Sequence, residues 1–232
     1  MSPIFPTHLF NPNSTKLSVV GRTVQSPPSI SGAGQVLRTD GGGFRLCQMS
    51  GISLRINDQL RAWNAWEGVL QGGITRVTVP VATQRLAPRP LQGGTIARYG
   101  SLHANTDDPY FPEITGYGSP QVVAVLNASA LYRDNQVSIN IQQGSRIKGG
   151  ETFSINHSVA GHHIYKISRV LSRNSQIALV QIDMPLRQAT PSGTPVNFDW
   201  PLMDAVLVPE TDISLDISFV GSEVSISFRE AI

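Results

Sequence analysis

The chain has 232 residues, of which 15% are charged, and a formal net charge of +2. That length allows one large β domain or two small ones, with a core that depends on neither disulfides nor metals. So small a net charge gives no reason to expect binding to nucleic acid or to a membrane surface, and no apolar run approaches the roughly 20 residues that span a bilayer. Many short alternating segments, rich in glycine, proline, serine and threonine, predict an all-β protein.

The chain begins with an arm that leads into strands. Residues 1–16 contain three prolines, which discourage helix, so we expect this arm to be extended. Its apolar residues Phe5 and Phe10 either pack on the arm's own body or reach a neighbouring subunit. Asp40-Gly41 predicts a hairpin turn between the strand before it and the strand after it. Strands are expected at residues 17–24, 35–39, 44–49 and 52–56.

Residues 58–71 form the one convincing helix pattern of the chain. Asn57 or Asp58 can cap its start, and Gly72-Gly73 ends it, because glycine enters the left-handed conformation without a steric penalty. The two tryptophans could form a platform for a sugar or a peptide, but anchoring of the helix is the favoured interpretation. The anchoring residues, which recur at steps of three and four, are Leu60, Trp63, Trp66 and Leu70.

Residues 85–120 are rich in glycine and proline, and we expect an extended loop or an open hairpin that projects from the body. Together with Phe5 and Phe10, the candidate intersubunit or binding residues are Tyr99, Tyr110, Phe111 and Tyr117. The same loop carries oxygen-bearing side chains that suit calcium, but EF-hand spacing is absent and we interpret them as solvated. A glycosidase pair among them is a weaker interpretation. These side chains are Asn105, Asp107, Asp108 and Glu113.

Residues 121–195 predict a small inserted β domain, since five short strands separated by polar turns suit a small barrel or sandwich. Beyond it, residues 213–219 and 224–228 alternate apolar and polar side chains and predict a two-stranded hairpin that pairs with the first sheet. The first domain is then discontinuous and consists of residues 1–84 and 196–232, with the helix in its first part.

Few residue patterns in the chain suggest chemistry. His157, His162 and His163 lie close together, but adjacent histidines on a strand point to opposite faces, so a turn between two strands is favoured over a metal site. The single cysteine, Cys47, is interpreted as a small buried apolar side chain and not as a nucleophile. No phosphate-binding glycine loop or nucleophile elbow is present. We therefore predict no enzyme, no catalytic residue, no metal and no cofactor.

The order of several short segments is more informative than any one of them. The helix segment RAWNAWEGVLQGG, residues 61–73, is followed by the strand RVTVPV, residues 76–81. Together with several other short segments, this order resembles that found in the distal tail proteins and close tail-tip relatives of long-tailed, siphovirus-like bacteriophages. The other segments are Ser26-Pro27, Ser31-Gly32, Gln35-Val36, Asp40-Gly41-Gly42 and residues 147–155, 164–167, 184–187 and 228–232.

The resemblance implies a non-enzymatic virion protein that forms a ring, commonly six-fold, between the tail tube and the tip or baseplate hub. It implies a β-sandwich body with one helix and a long hairpin, and an OB-like barrel at residues 121–195. The implied partners are other copies of the chain, the tail tube protein, the hub proteins, and the tape-measure protein and DNA in the lumen, without membrane insertion. Synthesis would be in the host bacterial cytoplasm.

A host-surface saccharide-binding module of the tail, built from the β insert and the loop aromatics, is the alternative. Hydrolase activity is the least favoured hypothesis, because it would require an acidic residue of loop 85–120 to support turnover.

Overall fold

The computed structural model describes residues 2–21, 23–25, 36–38, 42–89, 91–92, 95–96, 122–209, 211–215 and 222–231. Most regular structure in these ranges is strand, which confirms the predicted all-β class. The helices are α1 (Thr7–Phe10) and α2 (Asn57–Leu70), so one helical turn interrupts the arm that we expected to be extended.

The strands up to residue 96 are β1 (Ser14–Val20), β2 (Thr23–Gln25), β3 (Val36–Arg38), β4 (Phe44–Leu54), β5 (Val77–Pro80), β6 (Leu91–Gln92) and β7 (Thr95–Ile96). Those that follow are β8 (Val123–Leu126), β9 (Gln136–Gln143), β10 (Thr152–His157), β11 (Gly161–Asn174), β12 (Ile177–Ile182), β13 (Pro195–Asn197), β14 (Leu202–Leu207) and β15 (Ser222–Glu230). β2 with β3, and β6 with β7, form two separate two-stranded ribbons.

The chain divides into two compact units, which differ in their boundaries from the domains expected from the sequence. Residues 1–9 of the arm fall in the same unit as Thr78 of β5: the N–H of Phe5 donates to the carbonyl of Thr78 and the N–H of Thr78 donates to the carbonyl of Pro3, both over 2.9 Å. The barrel unit comprises residues 1–9 and 78–204, and the sheet unit comprises residues 10–77 and 205–232.

A five-stranded sheet has the order β1-β4-β15-β14-β5. Its longest strand, β4, runs without interruption through the region where two shorter strands were expected. Cys47 and Met49 are buried on one face, and an extra residue at Ser50-Gly51 shifts the alternation so that Ile52 is buried as well. Gly51 has φ +67°, which suits such a bulge. The burial expected for Cys47 is confirmed, and burial raises the pKa of its thiol to about 12.

The hairpin predicted at Asp40-Gly41 is wrong, whereas the hairpin predicted from residues 213–219 and 224–228 lies partly outside the described residues. β3 pairs with β2, whereas β4 pairs with β1 and β15, so β3 and β4 do not form the expected hairpin. β15 has β4 on one side and β14 on the other, and residues 211–215 form no strand. The expected pairing of β15 with the first sheet is confirmed, through a register that places Phe228 opposite Cys47.

The helix α2 begins one residue earlier than predicted and is capped differently. Asn57 and Asp58 lie inside it, and the side-chain oxygen of Gln59 accepts the N–H groups of Arg55 and Ile56 over 3.2 and 3.4 Å. At the other end Gln71 enters the left-handed conformation with φ +45°. The two glycines that follow also have positive φ, which agrees with the predicted stop.

Six strands of the barrel unit close on themselves in the order β10-β11-β12-β9-β8-β13. The sixth strand is β13, in a region where the sequence suggested only a closing turn. Three aromatic rings lie together in a largely aliphatic interior: the ring centroid of Phe153 lies 5.7 Å from that of Tyr165 and 5.4 Å from that of Phe198. Because the barrel is closed, none of its strands leaves an unpaired sheet edge.

Candidate functional site

The arm packs on its own chain, which is the first of the two alternatives expected for it. Ile4 forms a parallel bridge with Thr78 of β5, and the Thr7 hydroxyl donates to the carbonyl of Pro80 over 3.1 Å. Phe5 is completely buried. This candidate intersubunit residue is therefore buried within its own chain.

In the sheet unit, Phe10 and Trp63 form the centre of the helix anchor. Both side chains are buried, and their rings meet edge to face with centroids 5.1 Å apart. The indole Nε1–H of Trp63 donates to the carbonyl of Ile213 over 2.9 Å. Of the other predicted anchors, Leu70 is buried, whereas Leu60 and Trp66 are half-buried. The helix thus relies more on its first tryptophan than on its second.

Within the described ranges, β1 and the two ribbons β2–β3 and β6–β7 keep edges without a β partner. β1 lies at the end of the five-stranded sheet and pairs with β4 alone. The ribbon formed by β2 and β3, with Val24 opposite Leu37, has no third strand among the described residues. Such edges present backbone groups that can pair with another chain.

The loop residues on which a saccharide site depends lie outside the described residues. This applies to the aromatic candidates Tyr99, Tyr110, Phe111 and Tyr117, and to the polar candidates Asn105, Asp107, Asp108 and Glu113. Saccharide binding, hydrolase activity and the projecting loop 85–120 therefore stay predictions.

The histidine group lies at a β-turn, as the sequence indicated. β10 ends at His157, β11 begins at Gly161, and the two strands are antiparallel with His162 opposite Asn156. His163 is buried on the face opposite to half-buried His162. No group of three or more His, Cys, Asp or Glu side chains in the described ranges is arranged to hold a metal ion.

His157 belongs to a buried hydrogen-bond chain whose direction follows from its ends. The Thr190 hydroxyl donates to the carbonyl of Gln188 over 3.1 Å, so it accepts the Nδ1–H of His157, also at 3.1 Å. The Tyr165 hydroxyl, which accepts the N–H of Arg187 over 3.1 Å, then donates to Nε2 of His157 over 2.8 Å. The geometry thus assigns the neutral imidazole with its hydrogen on Nδ1.

Burial, followed by the charges of His163 and His162, lowers the pKa of His157 from 6.5 to about 4. Burial also lowers the pKa of His162, against the opposing effect of Asp204. Asp204 accepts the Thr78 hydroxyl over 2.6 Å and the N–H of His162 over 3.2 Å. These histidines therefore stabilise the barrel unit in their neutral form. Their arrangement is more typical of structural histidines than of catalytic ones.

Two neighbouring clefts of the barrel unit together gather several cationic side chains in their lining. The first, of about 460 Å³, has Arg173 in its lining, and the second, of about 540 Å³, has Arg85, Arg89 and Lys148. Ser145 and Arg146 line both clefts. We call the two together the basic cleft.

The basic cleft is formed where two distant segments of the barrel unit meet. The N–H of Ser145 donates to the carbonyl of Pro88 over 2.8 Å, which holds residues 85–89 beside the connection between β9 and β10. Gly144 permits this approach, because a Cβ there would lie 2.7 Å from the same carbonyl oxygen and its φ is +143°. The Arg173 guanidinium donates to the carbonyl of Ile147 at the other side.

Of the described residues in the lining, one is a carboxylate, and its oxygens are already engaged. Glu151 is 5% exposed and accepts the N–H of Lys148 over 2.6 Å and the N–H of Gly149 over 2.7 Å. Sequence reasoning missed this cleft. The cations at 146, 148 and 173 were visible in the sequence, but nothing local indicated that Arg85 and Arg89 would join them.

Comparison with known proteins finds no protein-family match and no significantly similar curated protein. None of the described helices is long and apolar enough to cross a membrane.

Proposed function

We propose that this protein is a structural subunit of a bacteriophage tail tip, a distal tail protein that forms a ring between the tail tube and the hub. The helix segment and the strand that follows it resemble those of distal tail proteins, and this resemblance supports the proposal. The β architecture around them supports it as well. The proposal includes a β-sandwich type of body for the sheet unit and an OB type of barrel. Localisation would be the virion, after synthesis in the bacterial cytoplasm.

The observation that carries the proposal is that, among the described residues, the β2–β3 ribbon has no third strand and β1 keeps an open edge. A two-stranded ribbon is marginal by itself in water. β1 has one charged residue, Lys16, in seven, and Val20 at its end is 40% exposed, so the edge has little protection against pairing. A head-to-tail contact repeated around a ring would cover both features in every subunit.

The proposed partners follow from the position of such a ring. Each subunit would contact two copies of itself, and the ring would contact the tail tube protein on one side and hub or tip proteins on the other. The lumen would pass the tape-measure protein and DNA. A small overall charge suits a channel through which DNA slides without being held.

Negative-stain imaging and light scattering of the purified protein at rising concentration test this function. We expect closed rings, with six subunits as the commonest number. Replacing residues 22–39 by a short Gly-Ser linker removes the ribbon, and this variant should remain a monomer with an unchanged thermal unfolding curve. A wild-type protein that stays a strict monomer at high concentration, and is absent from virions, would overturn the proposal.

A further inference from the structure

The basic cleft concentrates positive charge in a chain whose net charge is only +2. Counting the described residues alone, its lining has five cations and one carboxylate, that of Glu151. Among the described residues, no carboxylate forms a salt bridge with Arg85, Arg146 or Lys148. These three side chains are exposed, so an anion could approach them from solvent.

We propose that the basic cleft binds an extended ligand that carries at least two phosphate groups. Four of its five cations are arginines, whose planar guanidinium groups match phosphate oxygens with paired hydrogen bonds. Buried Arg89, at 6% exposure, lies in less screened surroundings than the exposed cations. A second phosphate is required because the cations are spread over two clefts that share Arg146.

The lining also indicates which part of the ligand is recognised. No aromatic side chain lines the basic cleft within the described residues, so neither nucleobases nor sugar rings find a stacking surface there. Cavities of about 460 and 540 Å³ hold a small molecule or a few units of a slender chain. The favoured ligand is therefore a polyphosphorylated small molecule or chain, bound through its phosphates. This site does not depend on ring formation.

Titration calorimetry of the whole protein with inorganic tripolyphosphate tests the proposal. We expect tripolyphosphate to bind more tightly than inorganic phosphate, and raised salt to weaken it. Arg146→Gln and Arg173→Gln should each weaken tripolyphosphate binding by about tenfold, because each removes a charge-assisted hydrogen-bonding group. Arg146→Lys, which keeps the charge but loses the paired geometry, should fall between wild type and Arg146→Gln.

The matched control is Arg169→Gln, which makes the same charge change at an exposed position of β11 outside the lining. It should bind tripolyphosphate as wild type does. An equal loss of tripolyphosphate affinity in Arg169→Gln and Arg146→Gln would show only a general electrostatic attraction and would overturn the proposal. The absence of measurable tripolyphosphate binding to the wild type would overturn it too. A duplex DNA that binds more tightly per phosphate than tripolyphosphate, whether or not Arg146 is replaced, would also overturn it.

Discussion

The Tyr165 hydroxyl lies 2.8 Å from Nε2 of His157 and donates its hydrogen to that nitrogen. This direction belongs to the neutral imidazole, since a proton on Nε2 would make that nitrogen the donor and the Tyr165 hydroxyl would have to turn and accept. Burial, and then the neighbouring charges of His163 and His162, keep the pKa of His157 at about 4, below its ordinary value of 6.5. The pair is thus a structural contact with a defined dependence on pH.

We expect stability to fall as the pH is lowered from about 6.5 to about 4. In that window the unfolded chain binds a proton at His157 and the folded chain does not. The contribution of His157 to the free energy of unfolding is therefore complete above pH 6.5 and decreases as the pH falls below it. The slope from one such group is at most about 1.4 kcal/mol per pH unit. Urea unfolding of the wild type and of His157→Gln between pH 4 and 8 measures it.

His157→Gln should be less stable than wild type at pH 7.5 and should show the shallower pH dependence. His162 contributes in the same direction, because burial lowers its pKa too. Identical slopes for both proteins would mean that His157 does not titrate in this way.

Trp63→Ala should lower the free energy of unfolding by about 3–5 kcal/mol, as is usual for a buried tryptophan replaced by alanine. Trp63 is 2% exposed, contacts the ring of Phe10 and donates to Ile213. Trp66→Ala should cost less, because Trp66 is half-buried. Chemical unfolding of the two variants compares them, and an equal or greater loss from Trp66→Ala would refute this ranking.

Gly68→Ala should stabilise the protein by about 0.5–1 kcal/mol. Gly68 lies inside α2, where alanine is the better helix former, and a Cβ there would meet nothing within 4 Å. Gly73→Ala is the matched opposite, because its Cβ would lie 2.7 Å from the carbonyl oxygen of Leu207 and its φ is +102°. Thermal unfolding should shift upward for the first variant and downward for the second, and shifts of the same sign would contradict the argument.

Glu151→Gln should destabilise the turn at residues 148–150. Its two carboxylate oxygens accept two backbone N–H groups, and glutamine replaces one oxygen with a donor that opposes an N–H. The loss should be about 1.5–3 kcal/mol, the range for a hydrogen bond to a charged group. Faster hydrogen exchange at Lys148 and Gly149, with no change at β8, is the specific sign. Unchanged exchange at both residues would show that the carboxylate is dispensable.

Local patterns in the sequence predicted local structure well. Apolar residues that recur at steps of three and four located α2 to within one residue at each end. This worked because the burial of one helix face and a glycine pair after the helix depend only on residues close together in the sequence. The position of the turn after His157 and the burial of Cys47 were predicted for similar reasons.

Strand pairing was predicted less well, because it depends on distant partners. Asp40-Gly41 is a strong local hairpin signal, yet β4 takes β1 and β15 as its neighbours, and β15 begins at residue 222. The position of Phe5 likewise depends on a backbone hydrogen bond to Thr78 of β5, which is distant in the chain.

The sequence by itself determined the all-β class, the helix and the histidine turn, since each rests on spacing within a few residues. Only the tertiary structure decided that the arm packs on its own chain, that Trp63 is buried more deeply than Trp66, and that Arg85 and Arg89 join Arg146 in one cleft. The physical reason is that edges, burial and clustered charge arise where segments far apart in the chain meet, as at the bond from Ser145 to Pro88.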